Sequence, residues 1–143
     1  MGRSLNQVLI HAIWNTKNRE SLIKPYFEKN LHKLIRDSFL LTGSQLLIVN
    51  GVENHVHCLF RLSPLRSVAQ VMKQVKGASS YWINLTEQLD IRFEWQEGYA
   101  AFSVDPNNKD KLWNYIRKQK SHHQNKSVIS KFEINDTIKI SSQ

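Results

Sequence analysis

Two apolar runs in the middle of the chain, SQLLIVNGVE (Ser44–Glu53) and HVHCLFRL (His55–Leu62), are separated by Asn54 alone. So short a gap admits only a tight turn, and the two runs are predicted as adjacent strands. Ser63-Pro64 stops the second. This hairpin constrains what can flank it. Upstream, Phe27, Leu31, Leu34 and Ile35 recur at helical spacing after Pro25, a residue suited to a first turn, and Thr42-Gly43 ends the pattern. Downstream, Ser67 and Gln70 form a capping box, and Val68, Val71, Met72, Val75, Ala78 and Trp82 follow helical spacing to about Leu85. QVLIHAIWN (Gln7–Asn15) is short and rich in β-formers, a strand; TKNRES is a polar, basic loop. FEWQEGYAAFSV (Phe93–Val104) alternates as a last strand with a break at Gly98. A turn at Asp105-Pro106-Asn107-Asn108 leads into a helix from about Lys109 to His122 or His123.

The order is strand, helix, strand, strand, helix, strand, helix. It predicts an α+β fold of ferredoxin-like type, an antiparallel sheet with helices mainly on one face. One domain over 1–124 is expected, with an irregular tail over 125–143.

Composition narrows the function classes. At 143 residues, with 41% apolar and 22% charged, the chain suits one soluble domain with a real core. No run reaches transmembrane length, and MGRSLNQVLIHAIW carries no apolar signal core. The single cysteine, Cys58, excludes an internal disulfide and a cysteine-based zinc site, so a reducing cytoplasm is expected. A net charge of +8 attracts polyanions, of which nucleic acid is the commonest in that compartment.

The chemistry concentrates in two places. Residues i and i+2 of a strand share a face, so His55 and His57 project together while Val56 and Cys58 point away. Two such imidazoles can share a divalent cation, or each can be a hydrogen-bonded histidine of an ordinary sheet; a metal site needs a third ligand. YIRKQKSHH supplies a candidate. At 100° per residue Tyr115, Gln119 and His122 fall on one helix stripe, beside the apolar one of Leu112, Trp113 and Ile116. Two imidazoles and a carboxamide are neutral donors. They would hold Mg²⁺ or Mn²⁺ without cancelling its charge, leaving it to polarise a phosphate. A tyrosine hydroxyl, with a reference pKa of about 10, is a weak nucleophile until its target is activated in that way.

In these segments the sequence resembles the small single-tyrosine HUH transposases of bacterial insertion sequences, HUH denoting His-hydrophobe-His. His55-Val56-His57 is that motif, and Tyr115-Ile116-Arg117-Lys118-Gln119 followed by His122-His123 is similar to the tyrosine helix. IWNTKNRESLI (Ile13–Ile23), VKGASSYWIN (Val75–Asn84) and FEWQEGYAAFSV also match family segments, and the likeness runs from about Val8 to His123. The resemblance implies an RNA-recognition-like domain and a homodimer with joined sheets, in which the tyrosine helix of one subunit can serve the histidines of the other. It implies cleavage and rejoining of single-stranded DNA at element ends, recognised as hairpins, with a divalent metal and no nucleotide cofactor. By residue, it implies His55, His57 and Gln119 as metal ligands and Tyr115 as the nucleophile, giving a 5′-phosphotyrosine and a free 3′-OH.

Tyr26, Tyr81 and Tyr99 lack a glutamine four residues on, and Tyr81 and Tyr99 read as packing residues. Lys17, Arg19, Lys73, Lys76, Arg117, Lys118 and Lys120 are candidate phosphate contacts, each of which is otherwise solvated surface. The family usually continues past the double histidine with an acidic, aromatic helix, whereas NKSVISKFEINDTIKISSQ (Asn125–Gln143) is polar and β-branched. The alternatives are a host-adopted repeat-associated tyrosine transposase that nicks hairpins, a decayed copy or module that only binds single-stranded DNA, and a metal-dependent phosphodiesterase that uses water.

Overall fold

The structure, a computed structural model, describes residues 5–87 and 89–124, the last three by backbone only. The tail expected over 125–143 lies outside the described residues. The elements are β1 (Leu9–Asn15), α1 (Pro25–Leu41), β2 (Gln45–Val52), β3 (His55–Arg61), α2 (Val68–Thr86), β4 (Ala100–Val104), α3 (Lys109–Arg117) and α4 (Gln119–Gln124). The sheet runs β2-β3-β1-β4 with every neighbouring pair antiparallel. This is the ferredoxin-like α+β arrangement that the order of elements predicts. Among the described residues no helix is long and apolar enough to cross a membrane.

The helix boundaries follow local chemistry. Pro25 opens α1, and Gly43 turns the chain into β2 at φ +79°, a conformation that disfavours any Cβ. Ser67 and Gln70 close both bonds of the capping box on α2, at 2.9 and 3.1 Å.

The two faces of the sheet have different partners. Ile10, Ala12 and Trp14 of β1 and Val56, Cys58 and Phe60 of β3 point toward α1 and α2. There they meet Phe27, Leu31, Ile35 and Phe39 of α1 and Val71, Met72 and Val75 of α2. Phe39 and Phe60 meet at the centre with centroids 4.7 Å apart and planes tilted by 46°. Cys58 is buried here, and burial pushes its thiol pKa well up, so it is inert. The opposite face carries a much smaller apolar cluster, Ile48, Leu59, Leu112 and Ile116, under α3. The two long helices thus share one face, and α3 takes the other. Nine residues of helix are too few to be stable alone. Burying Leu112 and Ile116 stabilises the docked form by roughly 1.5–3 kcal/mol for each side chain, so α3 exists because it is docked.

Two elements depart from the expectation. The strand read over Phe93–Val104 is regular only from Ala100 onward. Phe93 and Trp95 plug the α1/α2 core instead, with rings 4.7 Å apart and perpendicular. Asn84 brackets the Phe93 backbone through two bonds of 2.7 and 2.9 Å, and Trp95 Nε1 donates to Ser79 Oγ at 2.9 Å. Alternation in the sequence reflected a plugged loop, not a longer ladder. The last helix is also broken at Lys118, where α3 stops and α4 begins.

Beside that break, Lys120 Nζ pairs with Glu28 at 2.8 Å next to the half-buried His32. Burial pulls the His32 pKa from 6.5 to about 4; Glu28 opposes this, and Lys120 and Arg36 add to it. A depressed histidine binds fewer protons folded than unfolded, so its contribution is complete above pH 6.5 and is lost as pH falls toward 4. Denaturant melts at pH 7.5 and 4.5 are expected to differ by roughly 1–3 kcal/mol from this group. The difference should shrink in His32→Gln; an unchanged difference would assign the acid loss elsewhere.

Candidate active site

β2 carries a bulge between Leu46 and Ile48, and its effect reaches the site. Leu46 pairs with Phe60, but Ile48 pairs with Leu59, so the extra residue shifts every later side chain to the other face. Asn50 thereby comes opposite His57, on the α3 side of the sheet. Its Nδ2 donates to the carbonyls of Ile116 and Arg117, both at 3.0 Å, and its Oδ1 accepts from Lys120 Nζ at 2.9 Å. Those two carbonyls would have continued the helix, so Asn50 fastens the α3–α4 break to the sheet. The next residue is Gly51, where any Cβ would overlap the His55 carbonyl oxygen. A glycine is required there for β2 to lie this close to the His55 backbone.

Asn50→Ala is expected to remove all three bonds and cost about 1–2 kcal/mol, since the site is partly solvated. Activity should fall by more than that loss of stability implies, because Tyr115 and Gln119 lie on either side of the break. Urea melts and a single-turnover activity assay on the same variant check this; activity falling only in proportion to the folded fraction would contradict it.

Four side chains converge on this face. His57 is fully buried, and its ring lies 5.2 Å from that of His55 and 6.3 Å from that of Tyr115. Tyr115 is 3% exposed and Gln119 is fully buried. The expected His55, His57 and Tyr115 are therefore brought together within one chain, and Gln119 opens the helix that follows Tyr115. The i, i+4 stripe survives in outline although Lys118 breaks the helix between its members. His122 was the third member of that stripe, and its side chain lies outside the described residues.

The fourth side chain is His11, which spacing arguments did not single out. Its Nε2 lies 2.9 Å from His57 Nδ1, and the two rings stack at 21°. His11 pairs with Leu59 across β1 and β3, so it reaches His57 diagonally, two residues along the strand. A histidine in an apolar strand was the available signal, but its face depends on the pairing register, which QVLIHAIWN does not state.

The hydrogen bonds also orient the expected ligands. Asn54 Oδ1 lies 2.8 Å from His55 Nδ1, and Asn54 Nδ2 reaches the Arg19 carbonyl at 3.4 Å. A carboxamide oxygen can only accept, so His55 carries its proton on Nδ1. Both histidines have Nδ1 engaged by a neighbouring side chain, so a cation would be held through Nε2 of each. Among the described residues no three His, Cys, Asp or Glu side chains are grouped to hold a metal. A third donor would have to be of another type, such as the carboxamide of Gln119, whose Oε1 is withdrawn from solvent. The donor set fits a hard or borderline divalent cation.

The remaining tyrosines separate clearly. Tyr26 and Tyr81 are exposed, at 69% and 70%, so Tyr81 is not the packing residue its sequence context suggested, whereas Tyr99 packs on the core. The candidate phosphate contacts are spread over both layers. Lys73 is exposed on α2, on the far side of the sheet from His57, and Lys76 of the same helix donates to the Gln96 and Gly98 carbonyls. Lys17 pairs with Glu94 at 2.9 Å, which raises the pKa of the amine and lowers that of the carboxyl. Lys120 is committed to Asn50, Gly51 and Glu28. Arg117, exposed like Lys118, stacks on Trp113 at 6.0 Å, and Arg19 sits in the left-handed region at φ +55°.

A family model described as IS200-like transposase matches residues 4–119, from before β1 to Gln119. The chain belongs to the IS200-like transposase family. The ISDra2 transposase TnpA of Deinococcus radiodurans is 25% identical over 118 residues, covering 79% of this chain and 84% of the relative. A crystal structure of a candidate transposase from D. radiodurans R1 superposes with a TM-score of 0.67 at 23% identity, over 83% of this chain and 96% of that one. A REP-associated tyrosine transposase bound to a REP hairpin gives a TM-score of 0.64 at 13% identity, over 90% and 74%. At these identities the two structures share the fold of this transposase, a sheet layered between unequal sets of helices.

Proposed function

We propose that this transposase cleaves and rejoins single-stranded DNA through Tyr115, at a divalent metal held by His55, His57 and Gln119. The observation that carries the reading is the placement of the Tyr115 ring 6.3 Å from His57 in a site where both histidines have Nδ1 engaged. Membership of the family and the relative bound to a hairpin support DNA as the substrate. Net charge of +8 supports phosphate contact, and predicts binding that weakens steeply with salt.

Bound Mg²⁺ or Mn²⁺ would draw charge from a phosphate oxygen and make phosphorus a better electrophile. The work of the chain is positional. Asn50 holds α3–α4 on the sheet, Asn54 and His11 set the two imidazoles, and α3 brings the Tyr115 ring to 6.3 Å from that of His57. Tyr115 Oη bonds to phosphorus and gives up its proton as the bond from phosphorus to the 3′ oxygen breaks. The 3′ oxygen takes up a proton and leaves as a 3′-OH, while the 5′ side stays on the tyrosine. A 3′-OH from a second strand can reverse the step and join strands without hydrolysis. Assembly is read as a two-fold homodimer through a sheet edge, β2 or β4, since unpaired edges invite pairing with a second copy.

The test is end analysis of a cleaved, labelled single-stranded hairpin in Mn²⁺. Attack by Tyr115 leaves a free 3′-OH and a 5′ end blocked by protein. A free 5′-phosphate formed in the first turnover would instead establish a water-using phosphodiesterase.

A further inference from the structure

We propose that His11 is a positioning residue for the metal site, which accepts the Nδ1 proton of His57 and so fixes the tautomer in which His57 can coordinate through Nε2. The inference rests on the metal reading above. Its starting point is that two buried imidazoles share one hydrogen bond, His11 Nε2 to His57 Nδ1 at 2.9 Å, with exposures of 2% and 0%.

One proton lies between the two nitrogens, and its owner decides what His57 can do. If His11 Nε2 carries the proton, His57 Nδ1 is the acceptor. A neutral His57 then holds its own proton on Nε2 and offers a cation no lone pair there. If His57 Nδ1 carries it, Nε2 has the lone pair and the ring can coordinate. Only the second arrangement matches His55, whose Nδ1 proton is fixed by Asn54 Oδ1. The two ligands are thus oriented by different devices, a carboxamide for His55 and an imidazole for His57.

Geometry supports a stand behind the ligand for His11. His11 Nε2 meets His57 at Nδ1, the ring nitrogen turned away from Nε2, so His11 lies behind the edge of the ring that would face a cation. The rings are stacked at 21° with centroids 5.2 Å apart, and Phe102 of β4 lies 6.2 Å from His11 on its other strand neighbour. β1 is central in the sheet, between β3 and β4, so the backbone that carries His11 is held on both sides. A rigid strand and a flanking ring restrict the rotamers of His11, which is what an orienting group needs.

The test compares His11→Phe, His11→Gln and His11→Asn in the whole chain. Glutamine can place an acceptor oxygen near the site of Nε2; asparagine is too short, and phenylalanine has none. Two readouts are taken: Mn²⁺ affinity from the electron paramagnetic resonance signal of free Mn²⁺, and the protonated nitrogen of His57 from ¹⁵N shifts without metal. Wild type should bind Mn²⁺ with His57 protonated on Nδ1. His11→Phe and His11→Asn should bind about 10–100-fold more weakly, with mixed His57 tautomers, and His11→Gln should recover most of both. If His11→Phe does not fold, the glutamine–asparagine contrast carries the same prediction. Wild-type affinity in His11→Asn or His11→Phe, or an unchanged His57 tautomer, overturns the role of His11 and leaves the metal site standing. Mn²⁺ binding that is absent in wild type, or indifferent to His55→Ala, overturns the metal site and this proposal with it.

Discussion

Tyr115→Phe is expected to fold, bind metal and bind DNA as the wild type does, and to form no covalent protein–DNA adduct. The substitution removes one oxygen and almost no volume from a residue packed against α3's neighbours at 3% exposure. Its stability should change by no more than about 1 kcal/mol, the scale of one hydrogen bond. Cleavage should fall by roughly 10³-fold or more, since a phenyl ring has no nucleophile and the remaining site only positions and polarises. Rapid-quench cleavage and a denaturing gel for the adduct measure the two effects. An adduct in this variant would move the nucleophile to another residue, with the exposed Tyr26 and Tyr81 the first to examine.

The second large effect concerns the histidines, and the fold sets which variant is informative. His57→Ala should abolish metal-dependent cleavage, but it also empties a fully buried position and removes the hydrogen bond between His57 and His11. A loss of about 2–4 kcal/mol in stability is expected with it. His55 is only half-buried, so His55→Ala should lose metal-dependent cleavage to the same extent with a much smaller change in the melt. Gln119→Ala keeps the nucleophile and both imidazoles, so its activity should fall and recover in part as Mn²⁺ is raised. Calorimetric Mn²⁺ titrations beside thermal melts separate these outcomes. Undiminished cleavage in His55→Ala would remove the metal assignment.

Much of this was legible in the chain because it depends on short-range pattern. Ser67 and Gln70, Pro25 and Gly43 mark helix ends by local hydrogen bonding and backbone geometry, and His55 and His57 share a face by the pleat alone. What was not legible depends on pairing between strands. The bulge after Leu46 turns Asn50 toward His57, and no run of residues announces it. His11 meets His57 only through the β1–β3 register. The break at Lys118 arises because Asn50, 66 residues before Ile116, captures the α3 carbonyls; helical spacing through YIRKQKSHH is unbroken in sequence. Phe93 and Trp95 alternate like strand residues yet serve as plugs, because α2 offers Ser79 and Asn84 to hold them.

The central claim is that Tyr115 becomes bonded to DNA at a metal-dependent site, and one measurement addresses it directly. The chain is incubated with a single-stranded hairpin oligonucleotide and Mn²⁺, the DNA is trimmed with nuclease, and the protein is digested for peptide mass spectrometry. A nucleotide phosphate on the peptide containing Tyr115, absent when metal is chelated, is the predicted result. Cleaved DNA with that peptide unmodified, or the same modification on Tyr26, Tyr81 or Tyr99, would contradict the account.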